Sequence, residues 1–208
     1  MQIAKKIFSR YTAIYARIHS LLEKQEELVL EDIMAHPIVI IIMGSIKDKD
    51  HAMKIKQQLE EFGIESHLRV ASAHKTSSYL LRLISHYENE GRPKVYITVA
   101  GRSNGLSGVV DGLTTSPTIA CPPYSDSFAG ADIFSSLRMP LGISPAVVLE
   151  PQNAAFLAAR ILSLNDISLK EKITAYMLKQ QKAVFEGDIS LNGDESLLTE
   201  EEDRKSVV

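Results

Sequence analysis

Three short stretches of this 208-residue chain carry side chains able to do chemistry. The most telling is Val70-Ala71-Ser72-Ala73-His74-Lys75-Thr76, where an extended apolar segment ends in hydroxyl, imidazole and amine groups and a helical pattern follows. An imidazole exchanges protons near neutral pH, so His74 is the candidate acid or base. Lys75 adds a fixed cation for a carboxylate or phosphate. Ser72 and Thr76 stand where helix starts commonly hold phosphate.

The first stretch, Met43-Gly44-Ser45-Ile46-Lys47-Asp48, offers close backbone approach at Gly44, a hydroxyl at Ser45 and a carboxylate at Asp48. Asp48 either accepts from a sugar hydroxyl or caps the next helix. The third runs Ala100-Gly101-Arg102-Ser103-Asn104-Gly105-Leu106-Ser107-Gly108, and its glycines, serines and asparagine form a cradle suited to an anion or a polar ring. Its glycine spacing is not that of a dinucleotide site, and no Gly-Lys-Ser/Thr follows as in a Walker loop. The five remaining histidines (His19, His36, His51, His67 and His86) lack paired metal spacing, and there is no serine-hydrolase elbow. Each stretch also has a plainer reading: a glycine turn with a capping aspartate, a surface histidine, a solvated lysine. Their recurrence at three similar junctions favours one composite site for a small phosphorylated molecule.

The elements that must position these residues follow from the hydrophobic pattern. Ile38-Val39-Ile40-Ile41-Ile42-Met43 is an unbroken apolar run, the mark of a strand buried on both faces of a parallel sheet. Similar segments are expected over 67–72, 95–101, 118–122 and 146–150. Helical patterns lie between and after them, at about 50–62, 77–87, 104–112, 129–137 and 152–162. Five strands alternating with five helices imply right-handed crossovers and a three-layer α/β, doubly wound parallel sheet of flavodoxin-like order. Such sheets bind ligands beyond the carboxyl ends of the strands, where all three stretches fall.

The domain reading is a helical extension at 1–36, a catalytic α/β domain at 37–165, a helix at 166–187 and an acidic, disordered tail at 188–208. Residues 1–22 contain four Lys and Arg and no acid, with isoleucine and leucine at helical spacing. That start reads as an organelle transit segment or as a helix docking on the chain's own oligomer. The charged residues that continue over 23–31 favour docking. A formal net charge of −3 gives no reason to expect nucleic acid or an anionic membrane as partner. No apolar run approaches a membrane span. The single cysteine, Cys121, reads as a small buried hydrophobe and suits a reducing, cytoplasmic setting.

Residues from about 37 to 185 resemble the phosphoribosylaminoimidazole carboxylases and mutases, the PurE family. The resemblance rests on Met43-Gly44-Ser45 with Asp48, Ser72-Ala73-His74-Lys75-Thr76, Ala100-Gly101, the run from Ser135 to Ile143, and the run from Asn153 to Leu162. His-Lys in the second loop and Gly-Arg-Ser-Asn-Gly-Leu in the third resemble the branch that carboxylates aminoimidazole ribonucleotide directly with carbon dioxide in purine biosynthesis. The mutase branch typically has arginine after the histidine and Ala-Ala-His in the third loop. The resemblance implies a carboxy-lyase that needs no ATP, biotin or metal and assembles as a homo-octamer. It implies His74 and Lys75 as catalytic residues. It implies Gly44, Ser45, Asp48, Ser72, Ala100, Gly101, Arg102, Ser103, Asn104, Gly105 and Leu106 as holders of the ribonucleotide. Lys47 stands where the family usually has serine, and Ser77 where it usually has proline. Lys47 either pairs with phosphate or weakens binding. The mutase reaction, a different heterocycle as substrate, and a degenerate binding protein are the competing readings.

Overall fold

The structure, a computed structural model, describes residues 17–25 and 36–193. It divides into two units, residues 1–162 and 163–208. Within the first, five parallel strands lie in the order β2-β1-β3-β4-β5, the flavodoxin-like order expected. β1 (Ile38–Met43) and β3 (Lys94–Val99) are buried at every residue, as their apolar runs require. β2 (Glu65–Val70) is one of the two edge strands and is mostly half-buried. β4 (Thr118–Ala120) and β5 (Ala146–Val147) are shorter than the segments expected of them.

The helices follow the strands. α1 (Lys49–Phe62) buries Ala52, Ile55, Leu59 and Phe62 along one stripe and stops at Gly63, whose φ of 72° supplies the left-handed C-cap. α2 (Ser77–Glu88) buries Leu80, Leu83, Ile84 and Tyr87. α3 (Gly105–Asp111) and α5 (Pro151–Leu162) complete the expected set, with α5 setting Phe156 against Phe62 of α1 at 6.0 Å between ring centroids.

The helix expected over 129–137 is a different object. A 3-10 segment, Ser127–Ile133, carries positive φ at Phe128, Ala129 and Gly130, and only Phe134–Leu137 (α4) is α-helical. The positive-φ turn breaks the backbone where apolar spacing alone suggested continuity.

The second unit contains α6 (Ile167–Asn192), started by Asp166, whose carboxylate accepts from the Leu169 N–H at 2.9 Å. Expected over 166–187, this helix runs on to Asn192 and a left-handed cap at Gly193, so residues 188–192, expected as disordered tail, are helical. Residues 17–25 are helical and expose Ile18, Leu21 and Leu22. The amphipathic marks at Ile3, Ile7 and Ile14 lie outside the described residues, as do the acids at 200–203.

Register is what assembles the site. Met43 at the end of β1 pairs with Val70 of β2 and with Val99 of β3, so three strands end at one level. The Gly44 N–H then donates to the Val99 carbonyl at 2.9 Å, and the Ala71 N–H to that of Met43 at 2.9 Å. β1 and β3 flank the point where the strand order reverses, which is where such a sheet opens a crevice.

Candidate active site

The three junctions meet in one cleft of about 570 Å³, within the range of small-molecule sites. From the first come Gly44, Ser45, Lys47 and Asp48; from the second, Ser72, Ala73, His74 and Lys75. Ala100, Gly101, Arg102, Ser103 and Leu106 come from the third, and Pro123 and Ser125 close the wall. Pro123 and Ser125 had no signal in the sequence beyond the Pro122-Pro123 turn.

Local chemistry shapes each loop. Ser45 caps a one-turn 3-10 helix, its Oγ accepting from the Lys47 N–H at 3.3 Å. Asp48 stands at the start of α1 but makes no side-chain cap bond, so the capping role is not taken. Burial pushes its carboxyl above the usual carboxylate range, against a smaller lowering by the Ser45 backbone. In the second loop the Thr76 hydroxyl accepts from the Ser72 N–H at 2.9 Å, and the Ser72 Oγ accepts from the Lys75 N–H at 3.2 Å. These bonds fold the loop around His74.

Two glycines have a steric purpose. A Cβ on Gly44 would lie 3.3 Å from the Ala100 Cβ, so the first and third loops touch because residue 44 has no side chain. A Cβ on Gly105 would lie 3.1 Å from both Cε1 and Nε2 of His74. The imidazole of the second loop therefore lies over the bare backbone of the third.

Asn104 and Gly105, expected to hold ligand, are not on the cleft wall. Asn104 is only 3% exposed, its amide donating to Ser136 Oγ at 2.8 Å while its carbonyl oxygen caps α3 through the Ser107 N–H. Such bonds make it an internal brace. Gly105 acts by yielding space to His74. Arg102 takes φ of 58°, a left-handed conformation that costs a non-glycine residue roughly 1 kcal/mol or more.

The charges of the cleft are unpaired. Among the described residues, Lys47, Lys75 and Arg102 make no ion pair, and neither does Asp48. Three cations and one carboxylate around one opening leave a net positive site, suited to an anionic ligand.

A second cavity of about 470 Å³ shares Gly101, Arg102, Pro123 and Ser125 with the cleft and adds His51, Lys54 and Glu150. Beside it, Cys121 is fully buried, as expected, and burial pushes its thiol up to about 12. Its Sγ donates to the Leu149 carbonyl at 3.6 Å and lies within hydrogen-bonding distance, 3.3 Å, of His51 Nε2. Burial lowers the basicity of His51, and the nearby Lys54 adds to that. No group of three or more His, Cys, Asp or Glu side chains among the described residues has the arrangement of a metal site. None of the described helices is long and apolar enough to cross a membrane.

Fold and cleft together define a flavodoxin-like α/β protein with a net positive cleft beside a histidine. Comparison with known proteins narrows that class. The family model described as AIR carboxylase matches residues 38–183. The phosphoribosylaminoimidazole carboxylase of Treponema denticola is 57% identical over 155 residues, covering 74% of this chain and 98% of its own. That of Archaeoglobus fulgidus is 49% identical over 152 residues, covering 73% and 83%. The crystal structure of Treponema denticola PurE matches with a TM-score of 0.75 and 56% identity, over 76% of this chain and 99% of that one. The chain belongs to the AIR carboxylase family.

Proposed function

We propose that this protein carboxylates aminoimidazole ribonucleotide with carbon dioxide to give carboxyaminoimidazole ribonucleotide, a step of purine biosynthesis. The observation that carries the reading is the convergence, by strand register, of His74, Lys75 and unpaired cations on one cleft.

The chemistry is simple to balance. The electron-rich ring carbon attacks carbon dioxide, forming a carbon–carbon bond and placing hydrogen and carboxylate on the same ring atom. Removing that proton restores aromaticity. His74 takes it, its ring held against Gly105 so that it meets the ring carbon in a fixed orientation. Lys75 attracts the forming carboxylate. Ser45, Asp48, Ser72, Gly101, Arg102, Ser103 and Leu106 hold the ribonucleotide. Since an uncharged electrophile meets an electron-rich ring, proximity and charge placement supply the catalysis, with no cofactor in the scheme.

Lys75 and Asn104-Gly105 favour direct carboxylation over the mutase reaction, since the mutase branch typically has arginine after the histidine and Ala-Ala-His in the third loop. A homo-octamer, with α6 and neighbouring chains completing each site, accompanies the reading, as does a cytoplasmic location. The exposed Tyr124, Phe128 and Leu141, each more than four-fifths accessible in the single chain, are consistent with contacts between copies.

The decisive experiment incubates the protein with aminoimidazole ribonucleotide and bicarbonate, and separately with the carbamate isomer. Product from the first alone supports the proposal. Product from the second alone assigns a mutase, and product from neither rejects both. A monomer by light scattering would remove the octamer from the reading.

A further inference from the structure

The run from Ser135 to Ile143 is part of the family resemblance, yet none of its residues lines the cleft. Two of them act on the third loop. Ser135 Oγ accepts from the Asn104 N–H at 3.0 Å, and it lies 2.8 Å from the Arg102 carbonyl and 2.7 Å from that of Asp132. Ser136, 2% exposed, takes the Asn104 side-chain amide at 2.8 Å. Two of these contacts, at the Arg102 carbonyl and the Asn104 N–H, hold the backbone on both sides of the Arg102–Ser103 turn, and the Ser136 bond anchors the Asn104 side chain. The same stretch contains the left-handed Arg102, a conformation that relaxes unless neighbours over-determine it. Arg102 also borders two spaces, the cleft and the second cavity, so a released loop has somewhere else to send its guanidinium.

We infer that Ser135 and Ser136 are positioning residues of this active site. By pinning the backbone of residues 102 to 104 they keep Arg102 in its strained conformation, and so direct its charge into the cleft that receives the anionic ribonucleotide. Neither serine touches the ligand. The inference rests on the proposed function for its substrate, but its structural part does not.

Two measurements separate these parts. Hydrogen exchange at the Asn104 amide reports the clamp without any substrate: Ser135→Ala speeds exchange by about tenfold or more, and Ser135→Thr, which keeps the hydroxyl, restores protection. Unchanged exchange in Ser135→Ala overturns the clamp. Steady-state kinetics with aminoimidazole ribonucleotide then reports its consequence. Ser135→Ala raises KM roughly tenfold with kcat within about twofold, the size of one lost hydrogen bond to the loop. In an Arg102→Ala background the same change adds less than about twofold, because its effect passes through the missing guanidinium. A full tenfold in that background, or a loss of kcat with KM unchanged, overturns positioning through Arg102. Ser136→Ala, which removes only the side-chain bond, gives a smaller KM effect of about threefold and serves should Ser135→Ala fail to fold. A wild-type protein that turns over no ribonucleotide rejects the proposed function, and titration with ribose 5-phosphate then decides the binding arm in its place.

Discussion

Gly105→Ala should make the protein more stable and less active at once. Gly105 opens α3 and does not take positive φ, so its backbone accepts alanine without strain. Removing a helical glycine stabilises a protein by about 0.5–1 kcal/mol, largely by restricting the unfolded chain. For a chain of this size that raises the melting temperature by roughly 1–4 °C. The new Cβ, however, meets His74 Cε1 and Nε2 at 3.1 Å, and the ring has to yield by a few tenths of an ångström. A misplacement of about 1 Å of a reacting group costs on the order of a hundredfold in rate, so a few tenths costs roughly three- to tenfold in kcat. Thermal melts and carbon-dioxide-dependent turnover on the same preparation read both effects. A stabilised variant with unchanged kcat would show that the ring position seen against Gly105 is not the one used in catalysis. A variant that loses stability would refute the backbone argument.

Four further outcomes follow from the same geometry. His74→Asn retains ribonucleotide binding by calorimetry and abolishes carboxylation; near-normal turnover would remove His74 from proton transfer. Lys47→Ser raises KM for the ribonucleotide about fivefold or more with little change in kcat, and weakens the salt dependence of binding; an unchanged KM would mean that this unpaired ammonium takes no part. Asp48→Asn stabilises the free protein at pH 7. Its carboxyl is raised in the fold, so ionisation costs stability as pH rises through the unfolded value of 3.8, and the gain from Asn shrinks as pH falls back toward it; a gain that persists at pH 4 contradicts this sign. Cys121, with its thiol pushed up to about 12 and fully buried, resists iodoacetamide in the native protein and reacts on unfolding; rapid native labelling would contradict the buried position.

Much of this was legible in the chain because it is written locally. The run from Ile38 to Met43 announces a doubly buried strand, and Gly-Ser, His-Lys and Gly-Arg-Ser each follow a strand within a few residues. The misreadings have non-local causes. Asn104 reads as a ligand-binding amide because polarity does not reveal which way a side chain faces, and its partners Ser135 and Ser136 stand 31 and 32 residues away. Gly105 reads as part of a flexible cradle, while its reason is the imidazole of another loop. The apolar spacing over 129–137 suggested one helix, although Gly130 marked a turn that pulls Phe128 and Ala129 to positive φ with it. The His51–Cys121 contact joins residues 70 apart and had no sequence signal at all.

The charges of the cleft say most about its use. The chain has 26 acidic residues against 23 basic ones, so partners for a lysine or arginine are plentiful. Three are taken elsewhere: Lys56 with Glu60, Arg92 with Glu65, Lys182 with Glu186. Exposed pairs of this kind add little stability, but they form readily when nothing opposes them. Lys47, Lys75 and Arg102 converge without such partners, and like charges brought together raise the free energy of the empty site. An anionic ligand removes that cost on binding. In the proposed reaction the product carries one carboxylate more than the substrate, so cations alone would hold product more tightly than substrate and slow its release. The ionised carboxylate of Asp48, in the same cleft, opposes that extra charge. On the proposed function, a single carboxylate among three cations thus serves turnover as well as sugar recognition.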